Sequence, residues 1–174
     1  MKPPIIVTKR FVLRPYRMSD TEVLARNIND PVIGRNTSVS YPYRLKDAKT
    51  WIQKTRRMAR NSESDAIHFA VDIGGEVIGG IGLHHIKPKH KAEIGYWLTG
   101  RFRGRGIMPR AVRKVTEFGF RRLRLRRIYA FTFTFNTASA RVLKKCGFRH
   151  EGTLKKHLKR GGRYFDHHLF AQVR

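Results

Sequence analysis

The stretch Arg101-Phe102-Arg103-Gly104-Arg105-Gly106 sets three guanidinium groups around two closely spaced glycines. Glycines let a backbone approach a ligand closely and adopt positive φ. The amides of such a turn, with the free N–H groups of a helix opening at Met108, form a nest for an anion. Arg101, Arg103 and Arg105 add charge, so the expected ligand is a phosphate or pyrophosphate. The same six residues also describe a basic surface turn, because short glycine patterns recur by chance. Glu93 is the one carboxylate in the strand-like stretch 92–98, and shares a face with Gly95 and Trp97. It can take a proton from an ammonium, or pair with a neighbouring arginine. His84 and His85 end the preceding strand and are either proton acceptors or surface histidines. Asn136 and Ser139 stand at the start of a short helix, where asparagine also serves as an ordinary cap. His157, His167 and His168 carry no site pattern. The lone Cys146 lies beside Gly147 at a helix end and reads as core. No histidine or carboxylate has metal-ligand spacing, so no metal is expected.

These groups need elements to hold them. Residues 10–16 alternate as a strand. Ser19 and Asp20 can cap a helix over Val23, Leu24 and Ile28, which Asn29-Asp30-Pro31 ends. Residues 34–44 read as a loop, and residues 45–60 as a helix with a basic outer face. Residues 68–73 and 77–86 pair around Gly74-Gly75, and residues 92–98 add a third strand. A helix runs over 108–123 with its apolar stripe on Met108, Ala111, Val112, Val115 and Phe118. Residues 127–135 alternate strictly. Tyr129, Phe131, Phe133 and Phe135 share one face, which resembles a nucleic-acid stacking platform but is expected to be core under a helix. A helix over 137–146 and a hairpin over 153–171 complete the chain. The order predicts a single α+β domain over residues 1–174, with a mostly antiparallel mixed central sheet flanked by helices.

The 174 residues suffice for one core, and 40% hydrophobic residues exclude a disordered chain. Lys and Arg number 38 against 12 Asp and Glu, a net charge of +26. That excess is larger than one phosphorylated ligand accounts for. It points to a further acidic partner or to a composition bias. With one cysteine no internal disulfide forms. No apolar run approaches the roughly 20 residues of a membrane span. The first eight residues turn polar too soon for a signal peptide, so a cytoplasmic location is expected.

The loop at 101–106 is similar to the Arg/Gln-x-x-Gly-x-Gly/Ala signature of the GCN5-related N-acetyltransferase (GNAT) superfamily. The similarity continues in register. Ala92-Glu93-Ile94-Gly95-Tyr96-Trp97-Leu98 resembles the strand before that loop in the RimJ/RimL-type ribosomal-protein N-acetyltransferases. Asn136-Thr137-Ala138-Ser139, the helix ending in Gly147-Phe148, Leu13-Arg14-Pro15 with Asp20, and Tyr164-Phe165-Asp166 resemble further parts of the same subgroup. The resemblance implies acetyl-CoA as donor and a primary amine as acceptor, with coenzyme A as product. It implies backbone contacts to pantetheine from Tyr96, Trp97 and Leu98. Arg101, Arg103, Gly104, Arg105 and Gly106 would cradle the pyrophosphate, and Asn136 and Ser139 would contact the cofactor arm. Ser139 is the implied acid near the leaving thiolate, with Glu93 as candidate base. Many GNAT enzymes place a tyrosine where this chain has Leu143. The expected acceptor is a protein or peptide amine, with ribosomal proteins favoured. The alternatives are a small amine (a polyamine or antibiotic) and an RNA-binding role with weak catalysis. The basic faces would then contact RNA. The molecule is expected as a monomer or homodimer, away from membranes.

Overall fold

The computed structural model describes residues 3–174; Met1 and Lys2, which open the segment judged against a signal peptide, lie outside them. Eight strands and five helices follow one another. They are β1 (Ile6–Val7), β2 (Val12–Arg14), α1 (Thr21–Ile28), α2 (Pro31–Asn36), α3 (Leu45–Arg60), β3 (Ile67–Ile73) and β4 (Glu76–Lys87). Then come β5 (Lys91–Leu98), α4 (Ile107–Arg122), β6 (Arg127–Phe133), α5 (Thr137–Lys145), β7 (Arg149–Arg160) and β8 (Arg163–Val173). All strands join one sheet in the order β1-β2-β3-β4-β5-β6-β8-β7. Every neighbouring pair is antiparallel except β5 and β6, which run parallel.

The sheet separates two cores. Ile67, Phe69, Leu83, Ile94, Ile128 and Phe170 meet Val112 and Val115 of α4 and Leu143 of α5 on one face. Tyr16, Ala70 and Val77 meet Leu24 and Ile28 of α1, Ile33 of α2 and Ile52 of α3 on the other. Strand alternation sorts the side chains between these layers. Ile78 interrupts the β3–β4 register, because Val71 pairs with Gly79 and Asp72 with Val77. That bulge switches which β4 residues face each layer, and puts Ile81 and Leu83 against α4 and Gly82 on the opposite side.

The α+β architecture agrees with the sequence expectation; local details differ, and α2 extends through Asn36 into the stretch 34–44 that was expected to be loop. Pro31 does not simply end a helix. It stands at the first position of α2, where proline is tolerated, and the Asp30 carboxylate caps that helix by accepting from the Val32 amide at 2.7 Å. Asp20 does not cap α1 through its side chain; it accepts from the Arg17 amide and from Arg14 instead. The aromatic face of β6 is not core under a helix. The helices lie against the small face: Ile128, Ala130 and Thr132 are buried, Tyr129 and Phe131 are half-buried, and Phe135 is 38% exposed just past the strand. Of the four rings only Phe133 is fully covered. Alternation establishes that two faces exist but not which one a helix will cover.

Candidate functional site

The β5–β6 pairing is short. Lys91, Ala92 and Glu93 pair with Arg127, Ile128 and Tyr129, and beyond these residues the two strands part. Parallel strands diverging within a continuous sheet leave unpaired backbone groups along both edges. A cavity of about 1030 Å³ opens there, reaching from Glu93 and His84 past Tyr96 and Trp97 to Gly104, Gly106, Asn136 and Ser139. The structure therefore gathers most of the residues singled out from the sequence, although they are spread over four elements.

At one end stands the glycine loop. Gly104 and Gly106 have φ of 76° and 73°, the left-handed region that favours glycine, and Gly106 precedes the first turn of α4. A Cβ at either would meet nothing within 4 Å, so the loop faces open space. Ile107 and Met108 of the first helical turn line the same cavity; their amides have no partner within the helix, and the helix dipole adds to their attraction for an anion. The three arginines take different positions. Arg103 donates from Nε to the Leu98 carbonyl at 3.1 Å and pairs with Asp30 at 2.7 Å. Arg105 lies over the Phe102 ring, 5.4 Å from its centroid. Arg101 is turned away from the cavity: its guanidinium pairs with Glu76 and reaches Asn27.

Along the cleft, Tyr96 and Ser139 meet. The phenol oxygen is 2.9 Å from Ser139 Oγ, and it also donates to the Ser139 carbonyl at 3.3 Å. Burial pushes the Tyr96 phenol well above its usual range, so it stays protonated at neutral pH. A tyrosine hydroxyl thus stands beside the serine, contributed by β5, while Leu143 of α5 is fully buried. From the sequence only the backbone of Tyr96 was expected to take part, and nothing in the sequence signals this pairing. Asn136 caps α5 by accepting from the Ser139 amide at 3.1 Å, and it also lines the cavity. The Cys146 thiol is buried and donates to the Pro109 carbonyl at 3.2 Å, and burial raises its pKa.

At the other end, Glu93 lies across β5 from His84 on β4 and Tyr129 on β6. Among the described residues it forms no ion pair or hydrogen bond, so the arginine pairing weighed as its alternative role is not made. Burial raises its carboxyl pKa, against a smaller opposing pull from His85. His84 lines the cavity with its ring 4.8 Å from that of His68, which packs edge-on against Trp51. His85 points outward and lies 3.8 Å from Asp65. His157 and His167, for which the sequence offered no signal, line the same cavity from the final hairpin. Among the described residues no group of three or more His, Cys, Asp or Glu is placed to hold a metal ion. Likewise, no helix is long and apolar enough to cross a membrane.

The histidine pair yields a stability prediction. Burial pushes His68 down to about 3 and His84 down to about 4, from an ordinary 6.5. Both are neutral at pH 7. Between about pH 4 and 6.5 the unfolded chain binds more protons than the folded one, so stability rises with pH across that window. Urea midpoints measured from pH 7 down to pH 4 are expected to fall through it. The double variant His68→Gln/His84→Gln is expected to show a flatter decline.

Comparison with known proteins matches this arrangement. Residues 10–149 match the family described as "Acetyltransferase (GNAT) domain". The uncharacterized N-acetyltransferase YoaA of Bacillus subtilis (strain 168) is 30% identical over 98% of this chain and 97% of its own. The ribosomal-protein-serine acetyltransferase of Escherichia coli (strain K12) is 34% identical over 72% of this chain and 80% of its own. The structure of Mycobacterium smegmatis RimJ in complex with CoA-disulfide superposes with a TM-score of 0.84. It is 27% identical and covers 98% of this chain and 86% of that one. With the family matched over most of its length, and with its parted strands, glycine loop and helix start in place, the chain belongs to the GNAT acetyltransferase family and is an N-acetyltransferase of that type.

Proposed function

We propose that the chain transfers the acetyl group of acetyl-CoA to the α-amine of a protein. The observation that carries this reading is the parting of β5 and β6 onto a glycine loop with open space above Gly104 and Gly106. A pyrophosphate fits that loop, and the relative RimJ was solved with a coenzyme A disulfide. In this reading Gly104, Gly106 and the first amides of α4 hold the pyrophosphate, with Arg103 and Arg105 adding charge. Arg101 reaches it only by leaving Glu76. The unpaired edge of β5 at Tyr96, Trp97 and Leu98 offers backbone groups to the amide-rich arm, as an added strand would use them. The Leu98 carbonyl is already taken by Arg103, so the remaining groups carry that contact.

The bound donor supplies a thioester carbonyl. The acceptor nitrogen forms the new C–N bond and the C–S bond breaks, so one proton must leave the amine and one must reach the sulfur. Glu93, unpaired and with a raised pKa, accepts the amine proton directly or through a water. The Tyr96–Ser139 pair donates to the sulfur, because a protonated phenol 2.9 Å from Ser139 Oγ can pass a proton along that contact. A protein acceptor is supported by the name of the Escherichia coli relative and by the +26 charge, which repels polycationic small amines.

Acetyl-CoA at 100 times its dissociation constant is expected to stabilise the fold by about 2.7 kcal/mol. Mass spectrometry of proteins incubated with enzyme and labelled acetyl-CoA is expected to find the label on an N-terminal amine. No thermal stabilisation at millimolar acetyl-CoA would sink the reading.

A further inference from the structure

The acceptor end of the cavity has a second wall whose chemistry is opposite to that of Glu93. Phe131 and Phe133 of β6, His157 of β7 and His167 of β8 line it. His167 is only 6% exposed. Its ring lies 4.4 Å from Phe133 and 5.3 Å from His157, centroid to centroid, yet neither of its nitrogens has a hydrogen-bond partner and Nδ1 is fully buried. Buried polar groups are as a rule hydrogen-bonded, so an imbalance of this kind in a cavity wall calls for a ligand. Two arginines back the wall. Arg160 stacks 5.0 Å from Phe133 and 5.3 Å from Phe165, and carbonyls of Gly34, Arg35 and Thr37 hold it there at 2.9–3.0 Å. Arg35 lies over Phe135. The adjacent carboxylate, Asp166, alternates to the other face of β8 and is taken up by Lys155 and the Lys156 amide. Burial first, then His157 and Arg160, push the His167 pKa down against a smaller opposing pull from Asp166. Glu93 is the only carboxylate among the residues lining the cavity.

The cavity therefore differs at its two ends along β6, with an acid beside Tyr129 and, beside Phe133, a hydrogen-bond-deficient wall backed by Arg160. We propose that the His157–His167 wall recognises a carboxylate on the acceptor, and so selects polypeptides with an acidic residue close to the reacting N-terminus. The inference deepens the protein α-amine reading above and rests on it. Tyr129, which pairs with Glu93, and Phe133, which pairs with His167, are four strand steps apart, about 13 Å. An extended acceptor covers that span in about three to four residues, which places the acid at its third or fourth position. Free aspartate or glutamate is too short to touch both ends.

The test uses the full chain, acetyl-CoA and hexapeptides with a free N-terminal serine. One series carries Asp at position two, three or four, and the other carries Asn there. A charge-assisted hydrogen bond in place of a neutral one is expected to raise kcat/KM about tenfold for the best-placed Asp, mainly through KM. In His167→Asn the Asp-to-Asn ratio is expected to collapse toward one. Equal efficiency for both series with the unaltered protein would overturn the proposal, and so would a His167→Asn variant that slows both series alike with the ratio kept. Acetylation of free aspartate in preference to the peptides would overturn it as well. Transfer to every peptide regardless of sequence leaves the α-amine reading standing and removes this inference alone. Transfer to no amine at all removes both.

Discussion

Glu93→Gln is expected to lower kcat/KM for the acceptor by about 10²- to 10⁴-fold, the usual range for losing a positioned general base. The substitution keeps the size of the side chain and removes its ability to take a proton. Glu93 has no ion pair or hydrogen bond among the described residues, so no structural contact is lost with it. The glycine loop lies beyond the end of the same strand, so acetyl-CoA should still bind and still stabilise the fold. The pH profile distinguishes a base from a mere wall. Burial raises the Glu93 carboxyl pKa, so the acidic limb of kcat/KM is expected above the ordinary carboxylate range. A base works when deprotonated: activity rises with pH through that limb and is lost as pH falls below it. In Glu93→Gln the limb should vanish, leaving a low rate governed by the ionisation of the amine itself. A variant with nearly full activity and an unchanged acidic limb would remove Glu93 from the mechanism and leave His84 as the alternative. Burial holds His84 near 4, which leaves it unprotonated at pH 7 but a feeble proton acceptor.

The glycine loop and the strand before it were legible because local chemistry dictates them: two glycines in positive φ at a helix start leave few other folds for that stretch. The helices over 45–60 and 108–123 were legible from spacing alone, the second displaced by one residue from α4. What escaped was pairing at a distance. Tyr96 and Ser139 are 43 residues apart, and only the parting of β5 from β6 brings the phenol to the serine. His157 and His167 sit in a hairpin with no motif of its own. They join the site because β8 inserts between β6 and β7 in the sheet order, which no period in the sequence encodes. The aromatic face of β6 was seen but assigned to the wrong layer, which hid the place of Phe131 and Phe133 in the cavity lining. The helices pack against the opposite face, with Ile128, Ala130 and Thr132 buried, and Phe131 and Phe133 are the two rings of the aromatic face that line the cavity. Pro31 shows the same limit at short range: the residue that stops one helix starts the next when an aspartate precedes it.

Arg14→Leu is expected to destabilise the fold by about 3–5 kcal/mol, a large part of the roughly 5–15 kcal/mol that holds a domain of this kind together. Arg14 is 5% exposed and sits between two buried carboxylates. It reaches Asp20 with two bonds of 2.8 Å and Asp72 with bonds of 2.9 and 2.6 Å. Asp20 also fixes the turn before α1 through the Arg17 amide, and Asp72 fixes the β3–β4 turn through the Gly75 amide. One guanidinium thus ties β2 to the start of α1 and to the end of β3. Leucine supplies comparable volume but leaves two carboxylates in a dry site without a counter-ion, and the desolvation of each is then uncompensated. Arg14→Lys should lose less, because the charge remains, but a single ammonium cannot reproduce the planar fork that bridges both acids. Urea unfolding of the three proteins at pH 7 should therefore rank them Arg, Lys, Leu in falling stability. The cluster is absent from the residues lining the cavity, so the folded fraction of Arg14→Lys should keep its acetyltransferase activity. A stability loss below about 1 kcal/mol for Arg14→Leu would mean that water or a shifted side chain satisfies the two acids, and that the triad contributes orientation and little stability.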